Sequence, residues 1–110
     1  MPGVKIEIVK TDFGYAYVFT LREPDGSLVE LNGEETVILR ARHVDRSDVV
    51  VEKECTISDP DAAEVSYTLG VSDFTVEGPY YGEIEVISDE SGDEYKATYQ
   101  GFTLVVIPKV

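Results

Sequence analysis

Thr36-Val37-Ile38-Leu39-Arg40-Ala41-Arg42-His43-Val44, then Asp45-Arg46-Ser47-Asp48, then Val49-Val50-Val51-Glu52-Lys53-Glu54-Cys55-Thr56-Ile57 is the stretch that decides the fold. In the first run Val37, Leu39, Ala41 and His43 recur at every second position, and Arg40 and Arg42 fall between them. Side chains alternate across a β-strand, so this run reads as a strand with one face turned inward and the other wet. The second run repeats the pattern with Val49, Val51, Cys55 and Ile57 in phase, and the polar segment between the two reads as a hairpin connection. Lys53 falls on the apolar face of the second strand, which predicts a bulge or a sheet-edge position there.

The same period extends to both ends of the chain. Val4, Ile6 and Ile8 alternate with Lys5 and Glu7. After a turn at Asp12-Phe13-Gly14, Tyr15 to Leu21 reads as a strand with Tyr15, Tyr17, Phe19 and Leu21 on one face. Glu23-Pro24-Asp25-Gly26 and Asn32-Gly33 are turn signals flanking the short apolar patch of Leu28, Val29 and Leu31. Glu64 to Leu69 places Val65, Tyr67 and Leu69 inward, and Gly70 to Gly78 is an irregular connection holding Val71, Phe74 and Val76. Tyr80 to Ser88 carries Tyr80, Ile84 and Val86 in phase, Ser88 to Asp93 reads as a turn, and Gly101 to Ile107 is the last strand. No helical period persists over ~10 residues. About seven strands, with turn signals every ~8–12 residues, predict an all-β chain folded as an antiparallel β-sandwich. The predicted core is Val4, Ile6, Ile8, Phe19, Val37, Leu39, Cys55, Ile57, Val65, Tyr67, Ile84, Val86, Leu104 and Val106.

At 110 residues the chain reads as a single domain, 1–110, and its 43% hydrophobic content suffices for one core. Lys and Arg total 9 against 22 Asp and Glu, a net charge of -13. That balance excludes nucleic-acid binding through a basic surface and disfavours docking on anionic lipid. One cysteine excludes an intrachain disulfide and a cysteine zinc cluster. Lys5 and Glu7 interrupt the first apolar run, so it cannot form a signal-peptide core, and no apolar run approaches the ~20 residues needed to span a bilayer. The acidity itself supports three readings: a well-solvated surface, adaptation to high salt, or calcium binding by Asp/Glu-rich turns. Neither Asp59-Pro60-Asp61 nor Asp89-Glu90-Ser91-Gly92-Asp93-Glu94 has the ligand spacing of an EF-hand loop.

Little in the chain carries chemistry. His43 is the only histidine and lies on an apolar strand face with no clustered partners, which predicts a structural role. Cys55 is in the apolar phase of its strand and reads as a small buried hydrophobe. Pairs such as Glu83 with Glu85 and Glu52 with Glu54 share a solvent face and arise from composition alone. Gly78-Pro79-Tyr80-Tyr81-Gly82 has neither the lysine nor the following helix of a phosphate-binding loop. The expectation is a chain with no catalytic residues, no cofactor and no metal site.

The order of motifs carries a resemblance. Phe19-Thr20-Leu21 is followed by Pro24-Asp25-Gly26-Ser27-Leu28-Val29-Glu30-Leu31 and Val37-Ile38-Leu39, then Cys55-Thr56-Ile57-Ser58-Asp59 and Val65-Ser66-Tyr67-Thr68-Leu69. Gly78-Pro79-Tyr80-Tyr81-Gly82-Glu83-Ile84-Glu85-Val86 and Gly101-Phe102-Thr103-Leu104-Val105-Val106-Ile107 close the series. From Tyr15 to Ile107 this resembles the N-terminal immunoglobulin-like domain of the tailed-phage baseplate upper protein family. The resemblance implies an immunoglobulin-like sandwich and a structural role in the virion, assembled with other virion structural proteins in a particle made in the host cytoplasm. Longer members carry further domains, and this sequence ends at Val110, which suits a tail, neck or capsid-decorating component as well as a baseplate one. The alternative is a cellular immunoglobulin-like module that recognises a protein or a carbohydrate through its loops.

Two strands are apolar on both faces. Opposite its aromatic face, Tyr15 to Leu21 presents Ala16 and Val18; opposite Phe102, Leu104 and Val106, the last strand presents Thr103, Val105 and Ile107. A sandwich has one interior, so these five residues are the candidate protein interface, implying a homo-oligomer or a virion partner. If the two strands are neighbours, they form a single outward patch, unless the Gly70 to Gly78 connection folds over it.

Overall fold

A computed structural model describes residues 4–9, 14–70, 72–90 and 93–108. Seven strands follow in order: β1 (Val4–Val9), β2 (Ala16–Thr20), β3 (Thr36–His43), β4 (Val50–Asp59), β5 (Glu64–Thr68), β6 (Gly78–Glu90) and β7 (Asp93–Ile107). They form one sheet in the order β1-β7-β6-β3-β4-β5-β2. The expected antiparallel pairing holds everywhere except at the first strand, where β1 lies parallel to β7, with Val4 opposite Phe102 and Val9 opposite Ile107. The sheet is therefore mixed.

The sheet curls into two layers because β4 belongs to both. Its first half, Val50 to Cys55, pairs with β3, and Thr56 to Asp59 pair with β5 through a register shift between Ile57 and Asp59. A strand that switches partners along its length is a known way to turn a sheet back on itself. Layer one is β1, β7, β6, β3 and the first half of β4; layer two is the rest of β4 with β5 and β2. Phe19 of β2 meets Phe102 of β7 with ring centroids 5.3 Å apart, so the layers face each other across the core. The result is a β-sandwich-like fold.

The predicted core is observed with few exceptions. Ile8, Phe19, Val37, Leu39, Cys55, Val65, Tyr67, Ile84, Val86, Leu104 and Val106 are buried, and Ile6 and Ile57 pack against them. The side chain of Val4 lies outside those described. Tyr15 departs from its expected face and is exposed, since β2 begins only at Ala16. Leu21, Ala41, Val51, Leu69, Tyr80 and Phe102 are also buried, each in the inward phase of its strand, and the structure adds Val29, Ala63 and Phe74 to the interior. At ~1.5–3 kcal/mol per buried aliphatic or aromatic side chain, this layer of contacts drives the fold.

Lys53 takes the edge position. Val50 to Glu54 pair with β3 on one side, no register shift falls at Lys53, and its ammonium reaches Asp73 at 3.1 Å. The β6–β7 hairpin is longer than the sequence suggests. The pairing Glu90↔Asp93 carries it through the expected Ser88 to Asp93 turn, and β7 starts at Asp93 instead of Gly101. A register shift opposite Gly82/Ile84 leaves β7 with an extra residue, and the alternation on its two sides is out of phase. Two glycines admit aromatic rings at this bend. A Cβ on Gly82 would lie 2.4 Å from the Phe102 ring inside the core, and one on Gly101 would lie 2.6 Å from the Tyr81 hydroxyl on the outer face.

Candidate functional site

The outer face of layer one carries one half of the predicted interface. Val50, Arg42, Tyr81 and Thr103 align as successive cross-strand partners on β4, β3, β6 and β7. Val105 lies between Pro79 and Glu7, and Ile107 lies beside Val9. Thr103 is exposed, and Val105 and Ile107 are half-buried. Val44, Val50 and Tyr81 are large exposed hydrophobic residues on this side, and with Arg40, Arg42, His43 and Glu83 they line a groove. The sequence reading did not select Tyr81; the signal was an aromatic residue out of phase with its buried neighbour Tyr80. Arg40 pairs with Glu52 and, at 3.3 Å, with Glu85, whereas Arg42 makes no ion pair among the described residues.

The outer face of layer two carries the other half. Ala16 is exposed and Val18 is 58% exposed. Val18 pairs with Ser66, which pairs with Thr56, and Ala16 pairs with Thr68. These rows hold no charged residue, although the chain carries a net charge of -13.

The two halves do not join. The strand beside β7 is β1, not β2, and the Phe19–Phe102 contact places β2 and β7 in opposite layers. Ala16 and Val18 therefore face away from Thr103, Val105 and Ile107, and the expected single patch is two surfaces on opposite sides. The Gly70 to Gly78 connection does not cover either through Phe74. That ring is buried in the core, edge-on to Tyr67 at 6.4 Å and to Tyr80 at 5.3 Å. Val71 lies outside the described residues.

Polar groups inside serve the fold. Asp73 accepts a 2.5 Å hydrogen bond from the Tyr67 hydroxyl and a 2.8 Å bond from the Gly70 N–H. Burial pushes the Asp73 carboxyl up, but these two donors and Lys53 outweigh it and hold it below the usual value. Burial and the bond to Asp73 push the Tyr67 hydroxyl in the opposite direction, upward. His43 is buried: its Nδ1 accepts from the Asp45 N–H at 3.1 Å, so its Nε2 donates to the Glu77 carbonyl at 2.9 Å. Its ring is edge-on to Tyr80 at 4.9 Å. Both ring nitrogens are engaged with backbone, which is the arrangement of a structural histidine. Burial pushes the Cys55 thiol up to about 11, which removes its nucleophilic form near neutrality. Among the described residues no group of three or more His, Cys, Asp and Glu side chains could hold a metal ion.

No protein-family model matches the chain, and no curated protein matches it. Among solved structures, the N-terminal domain of phage TP901-1 ORF48 is similar, with a TM-score of 0.72 over 96% of this chain and 89% of that chain at 14% sequence identity. At that identity the likeness speaks for the fold. The resemblance drawn from the sequence is met at that level: this chain is built like the N-terminal domain of phage TP901-1 ORF48, a phage protein.

Proposed function

We propose that this chain is a structural component of a tailed-virus particle, a single immunoglobulin-like domain of the tail or baseplate that acts by protein–protein assembly and not by catalysis. The observation that carries the reading is the fold correspondence over 96% of the chain with a domain of a phage protein, which agrees with a resemblance drawn independently from sequence motifs. The partners are other virion structural proteins and further copies of the chain. The two outward surfaces, Ala16 and Val18 on one side and Thr103, Val105 and Ile107 on the other, are the contacts proposed. Opposed surfaces let one domain bridge two neighbours, as a component inside an assembly must.

Quantitative peptide mass spectrometry of gradient-purified particles tests this. The chain is expected in a fixed ratio to the major particle proteins, in a multiple set by the particle's symmetry. A chain abundant in the lysate and missing from the particles overturns the reading.

A further inference from the structure

We propose that the free edge of β2 pairs with the β2 edge of a second copy of this chain, antiparallel about a two-fold axis through Val18. The inference deepens the assembly reading above and rests on it for its role in a particle; its geometry stands on β2 itself.

An edge strand exposes unpaired N–H and C=O groups, and proteins ordinarily blunt such edges with charge, proline or a bulge. Besides β2, several stretches are paired on one side only among the described residues, and they carry charge. β1 has Lys5 and Glu7, the free half of β4 has Glu52, Lys53 and Glu54, and the first half of β7, which pairs with β6 alone, has Asp93, Glu94 and Lys96. β2, Ala16-Tyr17-Val18-Phe19-Thr20, carries no charge and no proline, and its register with β5 is unbroken. It is the one edge left without a guard.

The backbone phase shows which groups are available. The Tyr15 carbonyl accepts from Leu69, and the Leu21 N–H donates to Ala63. Odd-numbered residues therefore turn their backbone groups toward β5, and Ala16, Val18 and Thr20 turn theirs to the free edge. A two-fold through Val18 sets Val18 opposite Val18, Ala16 opposite Thr20 and Tyr17 opposite Phe19 of the second copy. All three outward-facing residues then meet outward-facing partners.

The choice of a second copy follows from self-complementarity and charge. An isologous contact needs a surface that matches itself, and β2 reads nearly the same in both directions: small, aromatic, valine, aromatic, small. Aromatic pairs directly across strands are favourable. A copy approaching any of those charged edges would set carboxylates against carboxylates in a chain of net charge -13. At β2 the neighbouring Thr56, Ser66 and Thr68 are uncharged and the one neighbouring carboxylate, Glu64, lies at the strand's end opposite Thr20, so the repulsion is least there.

The test is light scattering during size exclusion of the purified chain, with three variants. The wild type is expected at twice its 12.2 kDa mass. Val18→Pro removes an N–H that β5 does not use, and Val18→Lys adds a guard charge; both are expected at the monomer mass with β-sheet circular dichroism retained. In a Cys55→Ala background, Val18→Cys is expected to form an intermolecular disulfide under mild oxidation, and Ala16→Cys is not, because only position 18 faces itself. A monomeric wild type, a Val18→Lys variant that stays dimeric, or equal cross-linking at positions 16 and 18 overturns the proposal. A dimer through β2 with no chain in purified particles upholds the pairing and overturns the virion reading. A monomer that is nevertheless found in particles does the reverse.

Discussion

Replacing Asp73 by alanine should cost about 2–4 kcal/mol, far more than an ordinary loop residue does. The magnitude follows from what the carboxylate holds. The Tyr67 residue is only 3% exposed, and its hydroxyl would lose the acceptor 2.5 Å away, an unsatisfied buried donor costing about 1–3 kcal/mol. The charge-assisted bond from the Gly70 N–H adds to this. The Lys53 contact, with its side chain 45% exposed, contributes at most about 1 kcal/mol. Because a domain of this size loses ~4–5 °C per kcal/mol, the melting temperature should fall by ~10–20 °C. Tyr67→Phe removes the stranded hydroxyl, so the double variant should cost at least ~1 kcal/mol less than the sum of the single ones. The assay is urea unfolding of all four proteins at neutral pH. Additivity within ~0.5 kcal/mol would refute the argument that the Tyr67–Asp73 bond pins the Gly70–Gly78 connection to the core. The pH dependence has a definite sign. The folded carboxyl lies below its unfolded value of 3.8, so its stabilisation is present above that value and is lost as pH falls through the folded one. The wild type and Asp73→Asn should therefore converge in acid.

Gly82→Ala should lose ~1–3 kcal/mol, since its Cβ would lie 2.4 Å from the Phe102 ring, and Phe102→Leu should recover part of the loss in a thermal melt. Cys55 should resist a thiol reagent at pH 8 until the chain unfolds, and stability should decline between pH ~9 and ~11, because the folded thiol, at about 11, sits above its ordinary 9.0. The net charge of -13 should make the melting temperature rise from low salt to molar NaCl, as self-repulsion is screened; a flat or falling curve counts against adaptation to high salt.

Much of the fold is legible in the residues alone. The period of two through Val37, Leu39 and Ala41 and through Val51, Cys55 and Ile57 identifies strands and their inward faces, because a side chain's direction along a strand depends only on its position. Lys53 is legible as an exception for the same reason. A β-bulge defeats this reasoning: the extra residue in β7 reverses the phase, and Asp93 to Gln100 do not read as one strand with Gly101 to Ile107. Phe74 is similarly hidden, since an irregular segment has no period to show which way a ring turns.

Which strands become neighbours was decided by the tertiary structure. Ala16, Val18, Thr103, Val105 and Ile107 were identifiable as outward residues from their phase, but not as members of one surface or two. Pairing uses backbone groups that every strand carries, so the pattern of side chains does not name the partner. β1 takes the place beside β7, β2 goes to the far edge of the curled sheet, and the predicted patch divides between opposite sides. The sequence determined which faces are apolar; the order of strands in space determined where those faces point, because that order follows from how the two layers close over a shared core.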